Sequence, residues 1–568
     1  MSLFCVLRAL LMRTLTATLK RMRAMPTVVA LVTVLLFCAP CIAQQKRDVS
    51  IAMSDGVKLT AVVHLPEGSG PWPVILVRST YSHVFLSPLW GNAGARRGYA
   101  VVLQHTRGRF QSEGAKLAFE ADGWTDGLTD GADTVEWIQR QPWSNGKLGT
   151  LGGSALGISQ YLLAGTGVRP LDCQQIRFAT PAIYPGIYWG GVFRKAMIED
   201  WLKGNKYSPD ALKLWTSHPT YDDYWKSRNL LERPESANAA AVHYAGWYDI
   251  FAQQTIDAFN AYQSSGGPKA RGMQRIIIGP WTHGAPNKTG ELTFPNAVNP
   301  PTKLHSMPCW EWFDFHLKGT QNGIMDGPPV TYYVMGDVED AAAPGNVWRT
   351  AESWPPFEAQ SYQLHLHADG LLSPNVANVA GRGSYRYDPA DPTPTIGGPQ
   401  LTIPSGPRDQ RTIEHRGKVF STQPLNVPLE VTGHVRVRLH VSSDCPDTDF
   451  IARLSDVYPD GRSFNVTEGA LRVRFRESLE RETLMKPGEV YEIEIDLFST
   501  SMIFNKGHRI RLHVTSSSDR GYDPNPNTGA PLRSSDEVRI ATNTIQMSAT
   551  FPSRLILPVP RPPEGVDP

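Results

Sequence analysis

The sequence predicts an α/β core with a helical insertion, followed by an all-β domain. Three observations carry that prediction. Continuous apolar strands alternate with helical patterns from about residue 50 to 320. An aromatic-rich stretch interrupts the strand rhythm between 187 and 237. From about 328 the pattern changes to short strands of period two separated by dense turns. The 568 residues are 41% hydrophobic and 19% charged, enough for roughly three to four domain-sized cores.

The first 43 residues read as a targeting segment. Arg8, Arg13, Lys20, Arg21 and Arg23 precede the apolar run Thr27–Phe37, and small residues up to Ala43 offer a cleavage site. The run is short for a bilayer span, and Gln44-Gln45-Lys46-Arg47 follows at once. The expectation is a signal peptide over 1–43 and a periplasmic or secreted body, free of the membrane once the signal is removed. Beyond residue 43 the chain holds 51 Lys and Arg against 54 Asp and Glu, a net of −3. That balance, with no basic runs, gives no electrostatic footprint for nucleic acid. Cys173, Cys309 and Cys445 are too far apart and too few for a disulfide framework or a structural zinc, so buried thiols are expected.

Along the core, Val74–Val77, Tyr99–Leu103, Lys147–Leu151, Phe178–Thr180, Ala240–Tyr244 and Arg275–Ile278 read as strands of a covered parallel sheet. Asp130–Gln141 carries Val135 and Ile138 at helical spacing and stops at Pro142, which suits a crossover helix. The stretch 187–237, with Tyr188, Trp189, Phe193, Trp201 and Trp215, is expected to be a cap over the sheet edge that shapes a pocket. The core is thus placed at 46–186 and 238–325. Thr331–Met335, Tyr362–His367, His434–His440, Tyr491–Leu497 and Arg509–Val514, with the turn Pro459–Gly461, predict an antiparallel sandwich over 328–568.

Three short motifs carry chemistry. Leu151-Gly152-Gly153-Ser154-Ala155-Leu156-Gly157 leads from a strand into a helix with small residues around one serine, the context of a nucleophile elbow. Its backbone reversal would leave the Ala155 N–H free to meet an oxyanion. The second strand end is Gly246-Trp247-Tyr248-Asp249, and the third is Gly279-Pro280-Trp281-Thr282-His283. Ligand sites of such sheets lie at the strands' carboxyl ends, so all three groups project onto one edge. Singly, an Asp capping a helix or a His bound by loop backbone is commoner than a catalyst. Together, in the order Ser, Asp, His, they match the chain order of an α/β-hydrolase. Serine needs a base: His283 would take its proton, and Asp249 would fix the imidazole.

The chain resembles the cocaine esterase and X-Pro dipeptidyl-peptidase group of α/β-hydrolases, which also holds α-amino-acid ester hydrolases. The likeness rests on Leu76–Tyr81, Thr106–Gly108 with Ser112–Gly114, Ser144–Gly149, the serine elbow, Gly246–Asp249 and Gly279–His283, and downstream on Asp456–Ser463 and Asn525–Thr528. It implies a hydrolase core, a helical cap inserted before the triad acid, a C-terminal jelly roll, and no metal or organic cofactor. It implies Ser154 as nucleophile, Asp249 as acid and His283 as base. Tyr81 matches the family tyrosine whose hydroxyl completes the oxyanion hole with the Ala155 N–H. Ala155 stands where relatives commonly carry tyrosine.

Relatives that take α-amino acyl groups place acids directly after the triad Asp; here those positions are Ile250, Phe251 and Ala252. An unpaired buried ammonium is costly, so an ester or amide with a neutral apolar or aromatic acyl group is expected. Phe251 matches an aromatic pocket position of the cocaine esterase branch, and Trp189 is taken as a second pocket residue. Glu199, Asp200, Asp222 and Asp223 on the cap are the acids able to supply an ammonium site instead, although solvated surface is their ordinary role. The alternatives are an X-Pro dipeptidyl-peptidase, an α-amino-acid ester or β-lactam acyl hydrolase, and a non-enzymatic reading as inactive scaffold or glycan binder. Homo-oligomerisation is left open.

Overall fold

The computed structural model describes residues 45–125 and 127–561. The expected signal peptide over 1–43 lies outside the described residues. Ten strands form one sheet: β1 Gln45–Ala52, β2 Lys58–Leu65, β3 Trp72–Ser79, β4 Ala100–His105, β5 Ser144–Gly153, β6 Cys173–Arg177, β7 Ala240–Gly246, β8 Gln274–Gly279, β9 Val330–Val334 and β10 Val347–Ala351. Their spatial order is β1-β2-β4-β3-β5-β6-β7-β8-β9-β10. From β4 through β9 every pair is parallel, while β2 meets β4 and β10 meets β9 antiparallel. The buried stretches of β3, β4, β7 and β8 explain their continuous apolar runs, since both faces of the sheet are covered.

The principal helices are α1 Asp130–Gln139, α2 Ala155–Gly165, α3 Lys195–Gly204, α4 Pro209–Thr216, α5 Ala252–Ser265 and α6 Trp310–Lys318. α1 turns Val135 and Ile138 inward, as its spacing predicts. α2 is buried along its whole length, directly behind β5. α3 and α4 belong to the insertion between β6 and β7, where the strand rhythm stops.

Two expectations are corrected. Phe178–Thr180 is not strand: β6 is Cys173–Arg177, and Phe178 opens the following loop at φ +48°, its N–H donating to Tyr244 O at 2.8 Å. Thr331–Met335 does not open the sandwich. It continues the first sheet as β9, pairing in parallel with β8 (Ile276 opposite Val330), and β10 closes that edge. The boundary expected at 328 therefore does not separate the sheets. Apolar and aromatic residues on a short strand fit either neighbour, and β9 is buried on both faces.

Apart from two short antiparallel pairs, Tyr188–Trp189 with Val192–Phe193 and Lys288–Thr289 with Leu292–Thr293, the remaining strands form two antiparallel sheets. One holds Gln360–Leu366, Leu372–Ser373, Gly381–Tyr387, Leu429–Ser443, Tyr491–Phe504, Ala541–Met547 and Arg554–Val559. The other holds Lys418–Ser421, Asp449–Val457, Ser463–Arg472 and Arg509–Thr515. Val435, Val437 and Leu439 of the first share one core with Phe450, Leu454 and Leu512 of the second. The same core takes in Trp247 and Tyr248, so the sandwich packs directly beside the carboxyl end of β7. Cys173, Cys309 and Cys445 are buried free thiols, as expected. Among the described residues no helix is long and apolar enough to cross a membrane.

Candidate active site

The site begins with a strained residue. Ser154 stands between β5 and α2 at φ +57°, ψ −130°, a conformation that costs energy in any non-glycine residue. Its neighbours are small because there is no room for more. A Cβ on Gly152 would lie 2.5 Å from the Leu156 Cβ, and one on Gly157 would lie 2.6 Å from the Ala179 Cβ. The turn is held by the Ser154 N–H donating to Arg177 O at 2.8 Å. Ala155 is the first residue of α2, and the first N–H groups of a helix have no partner within it.

The strand ends of β7 and β8 are also built by glycine. They lie opposite each other in register, and a Cβ on Gly246 would meet Trp281 O at 2.3 Å, while one on Gly279 would meet the Trp281 ring at 2.3 Å. This close approach lets the two loops cross. The Trp247 N–H donates to Gly279 O at 2.9 Å and the Tyr248 N–H to Trp281 O at 2.9 Å, which locks Asp249 beside His283.

The three groups meet. His283 Nδ1 lies 2.6 Å from Asp249 Oδ2, and His283 Nε2 lies 2.8 Å from Ser154 Oγ. The Asp249 side chain is fully buried, and its other oxygen, Oδ1, accepts the Phe251 N–H at 2.9 Å. An ionised carboxylate on Nδ1 fixes the tautomer that carries the proton there, leaving Nε2 to accept the Ser154 hydroxyl. The rings of Phe178 and Phe251 flank the imidazole at 5.8 and 5.9 Å. Such an array can transfer a proton from hydroxyl to imidazole and hold the resulting cation.

An apolar cavity opens at Ser154 and Ala155, walled by Phe119, Ile187, Met197, Ile198, Trp201 and Phe251. No acidic residue lines it. Phe251 is where the sequence places it. Trp189 is not in this wall: it is buried against Phe498 and Tyr522, under the Arg194 guanidinium. Aromatic content marked the cap but could not say which rings face the sheet. Of the four cap acids, three are already paired. Glu199 pairs with Arg533, Asp200 with Arg520 at 3.2 Å and Asp222 with His218 at 2.6 Å.

Tyr81 follows β3, and its Oη accepts the Trp201 indole N–H at 3.1 Å, so its own proton is free to be donated elsewhere. The sequence names Trp201 only as one of several cap aromatics, and Leu401 not at all. Leu401 reaches the cavity wall from beyond the ten-stranded sheet, and no local signal marks it. His243, beside the second motif, is a core residue: burial pulls it down to about 4, and its ring nitrogens face Tyr161 Oη at 2.8 Å and Gln274 Oε1 at 3.2 Å. Among the described residues no cluster of His, Cys, Asp and Glu is arranged to hold a metal ion.

Comparison with known proteins agrees in fold and family. Residues 55–210 and 194–285 match the X-Pro dipeptidyl-peptidase (S15 family) model, and residues 322–556 match the X-Pro dipeptidyl-peptidase C-terminal non-catalytic domain. The chain is 33% identical to cocaine esterase of Rhodococcus sp. (strain MB1 Bresler) over 583 residues, covering 90% of this chain and 98% of that one. An α-amino acid ester hydrolase structure superposes with a TM-score of 0.73 at 25% identity, over 91% of this chain and 96% of the other. The aminopeptidase from the marine sediment archaeon Thaumarchaeota archaeon gives a TM-score of 0.75 at 24% identity, over 90% and 96%, which speaks for the shared fold.

Proposed function

The chain belongs to the serine-hydrolase family of cocaine esterase and the X-Pro dipeptidyl-peptidases, and we propose that it hydrolyses acyl esters through Ser154, His283 and Asp249. The observation that carries this reading is the unbroken path Ser154 Oγ–His283–Asp249, at 2.8 and 2.6 Å, at the floor of an apolar cavity. Ser154 Oγ attacks the ester carbonyl carbon as His283 Nε2 takes its proton. The carbonyl oxygen, now negative, turns toward the Ala155 N–H and the Tyr81 hydroxyl. Collapse expels the alcohol, protonated by His283, and leaves an acyl-serine. Water, deprotonated by the same imidazole, then releases the acid.

The acyl group is neutral and apolar in this reading. A cavity without an acid would strand an ammonium, at a cost of several kcal/mol for an unpaired buried charge. The ion pairs of Glu199 and Asp200 occupy two of the four cap acids that a peptide N-terminus or an α-amino acyl group would draw on. Export belongs to the same proposal, on the strength of the basic and apolar N-terminal segment.

The test is a stopped-flow assay with p-nitrophenyl esters of neutral acids beside their α-amino counterparts and X-Pro p-nitroanilides. Turnover of the neutral esters, with release of p-nitrophenol abolished in Ser154→Ala, is expected. Undiminished turnover by Ser154→Ala, or a preference for X-Pro anilides, would overturn the reading.

A further inference from the structure

Arg194 is 2% exposed, yet among the described residues it forms no ion pair with a carboxylate. Its guanidinium spends its donors on backbone. Nη1 donates to Ile250 O at 3.0 Å and to Gly186 O at 3.4 Å, and Nη2 donates to Pro399 O at 3.1 Å. The face of the fork lies 4.1 Å over the Trp189 ring. These carbonyls come from three segments that also wall the cavity: the turn after Asp249, the turn that leads into the cap, and the stretch that carries Leu401. Burying a cation without an anion is among the costliest arrangements in a protein, so this one needs a compensating partner.

The ionisable groups that act on Arg194 are few. Burial pulls its guanidinium down to about 10, while Tyr522, Asp249 and Glu468 act in the opposite sense, so it remains a cation at neutral pH. Glu468 is already occupied: Oε2 accepts from Arg453 Nε at 3.0 Å and Oε1 accepts the Tyr522 hydroxyl at 3.0 Å. Asp249, whose oxygens take His283 Nδ1 and the Phe251 N–H, is the other carboxylate, and Arg194 reaches its turn through the Ile250 carbonyl.

We propose that Arg194 is the positioning residue for the acid of the triad. Its fork pins the Ile250 carbonyl, and through it the turn that presents Asp249 to His283. The proposal rests on the Ser154–His283–Asp249 reading and adds to it a residue from the cap insertion. It assigns the cap a part in catalysis beyond walling the cavity, since Arg194 immediately precedes α3.

The test uses the full chain with Arg194→Met and Arg194→Lys, assayed on p-nitrophenyl butyrate from pH 5 to 9. Arg194→Met removes fork and charge. Its kcat should fall about tenfold with KM within about twofold of the parent. Arg194→Lys keeps the charge without the fork, and kcat should fall there as well. A folded Arg194→Met with parental kcat overturns the proposal, as does a loss confined to KM or to the melting temperature. If Arg194→Met does not fold, Arg194→Lys decides alone, and a parental kcat there overturns it. Ser154→Ala run in parallel keeps the two readings apart: turnover surviving in that variant condemns the triad itself, whereas an inert Ser154→Ala beside a fully active Arg194→Met condemns only the role of Arg194.

Discussion

The indole N–H of Trp201 donates to the phenolic oxygen of Tyr81 across 3.1 Å, joining a cap helix to the loop that follows β3. A hydroxyl that accepts from one side must turn its proton away from that donor. The strand end behind it is fixed as well: Arg109 Nε donates to Thr80 O at 3.0 Å, and Thr80 shares a hydrogen bond with Tyr207. Tyr81 is thereby held by two elements that the chain separates by more than a hundred residues.

Removing either partner should affect the chemical step. Tyr81→Phe deletes the proposed donor to the developing alkoxide, and such losses lower kcat about 10²–10³-fold. Trp201→Phe keeps an aromatic wall but frees the phenol to rotate, so a smaller fall of about tenfold is expected. Single-turnover acylation rates measure both. A Trp201→Phe enzyme with parental acylation would show that the indole serves the cavity wall only.

Gly157→Ala should destabilise the protein although it replaces a helical glycine. Helix propensity alone favours alanine by about 1 kcal/mol. Here the new methyl would lie 2.6 Å from the Ala179 Cβ and 3.3 Å from Ile176 Cγ2, and overpacking of that kind costs about 1–3 kcal/mol. The urea midpoint should fall, and kcat with it, because the displaced helix begins at Ala155.

His508 gives the protein a pH-dependent seam. Its Nδ1 lies 2.9 Å from Asp456 Oδ1 and its Nε2 lies 3.2 Å from Asp337 Oδ2, so the imidazole bridges the sandwich and the loop after β9. Burial alone would push the imidazole down, but the two carboxylates outweigh it and hold the group above its ordinary value. With the folded value raised, the stabilisation is complete below the unfolded value of about 6.5 and is lost as pH climbs through the folded one. Melting temperature should therefore decline above neutrality, and His508→Asn should flatten that decline. An identical slope in the variant would remove His508 as its cause.

A chain ending at residue 325 should not remain monomeric. It lacks β9 and β10, leaving β8 as a long apolar edge with unpaired backbone groups. A chain ending at 356 completes the sheet but uncovers Trp247, Tyr332 and Trp354, which share the sandwich's core. Size-exclusion chromatography should show both as aggregates. A monomeric, active shortened chain would mean that the sandwich is dispensable.

Much of the fold was legible because it is written locally. The parallel strands announce themselves by apolar runs, the crossover helix α1 by the spacing of Val135 and Ile138, and the loops by glycines that no larger residue can replace. Ser154, Asp249 and His283 were legible for the same reason: each sits at a strand end with its own punctuation. β9 was misassigned because a five-residue strand of mixed apolar and aromatic residues says nothing of which sheet it joins. Trp189 was placed in the pocket because ring content does not encode direction.

By itself the sequence determined the order of elements, the residues at the strand ends and the membership of a hydrolase family, since these depend on short-range pattern and on motifs a few residues long. Tertiary structure alone decided which side chains from distant segments share a space: Leu401 in the cavity wall, Trp201 on Tyr81, Glu199 on Arg533, Arg194 under the triad turn. The reason is physical. A buried polar or charged group must find its partners wherever packing brings them, and that choice is made by the whole core at once rather than by neighbours along the chain.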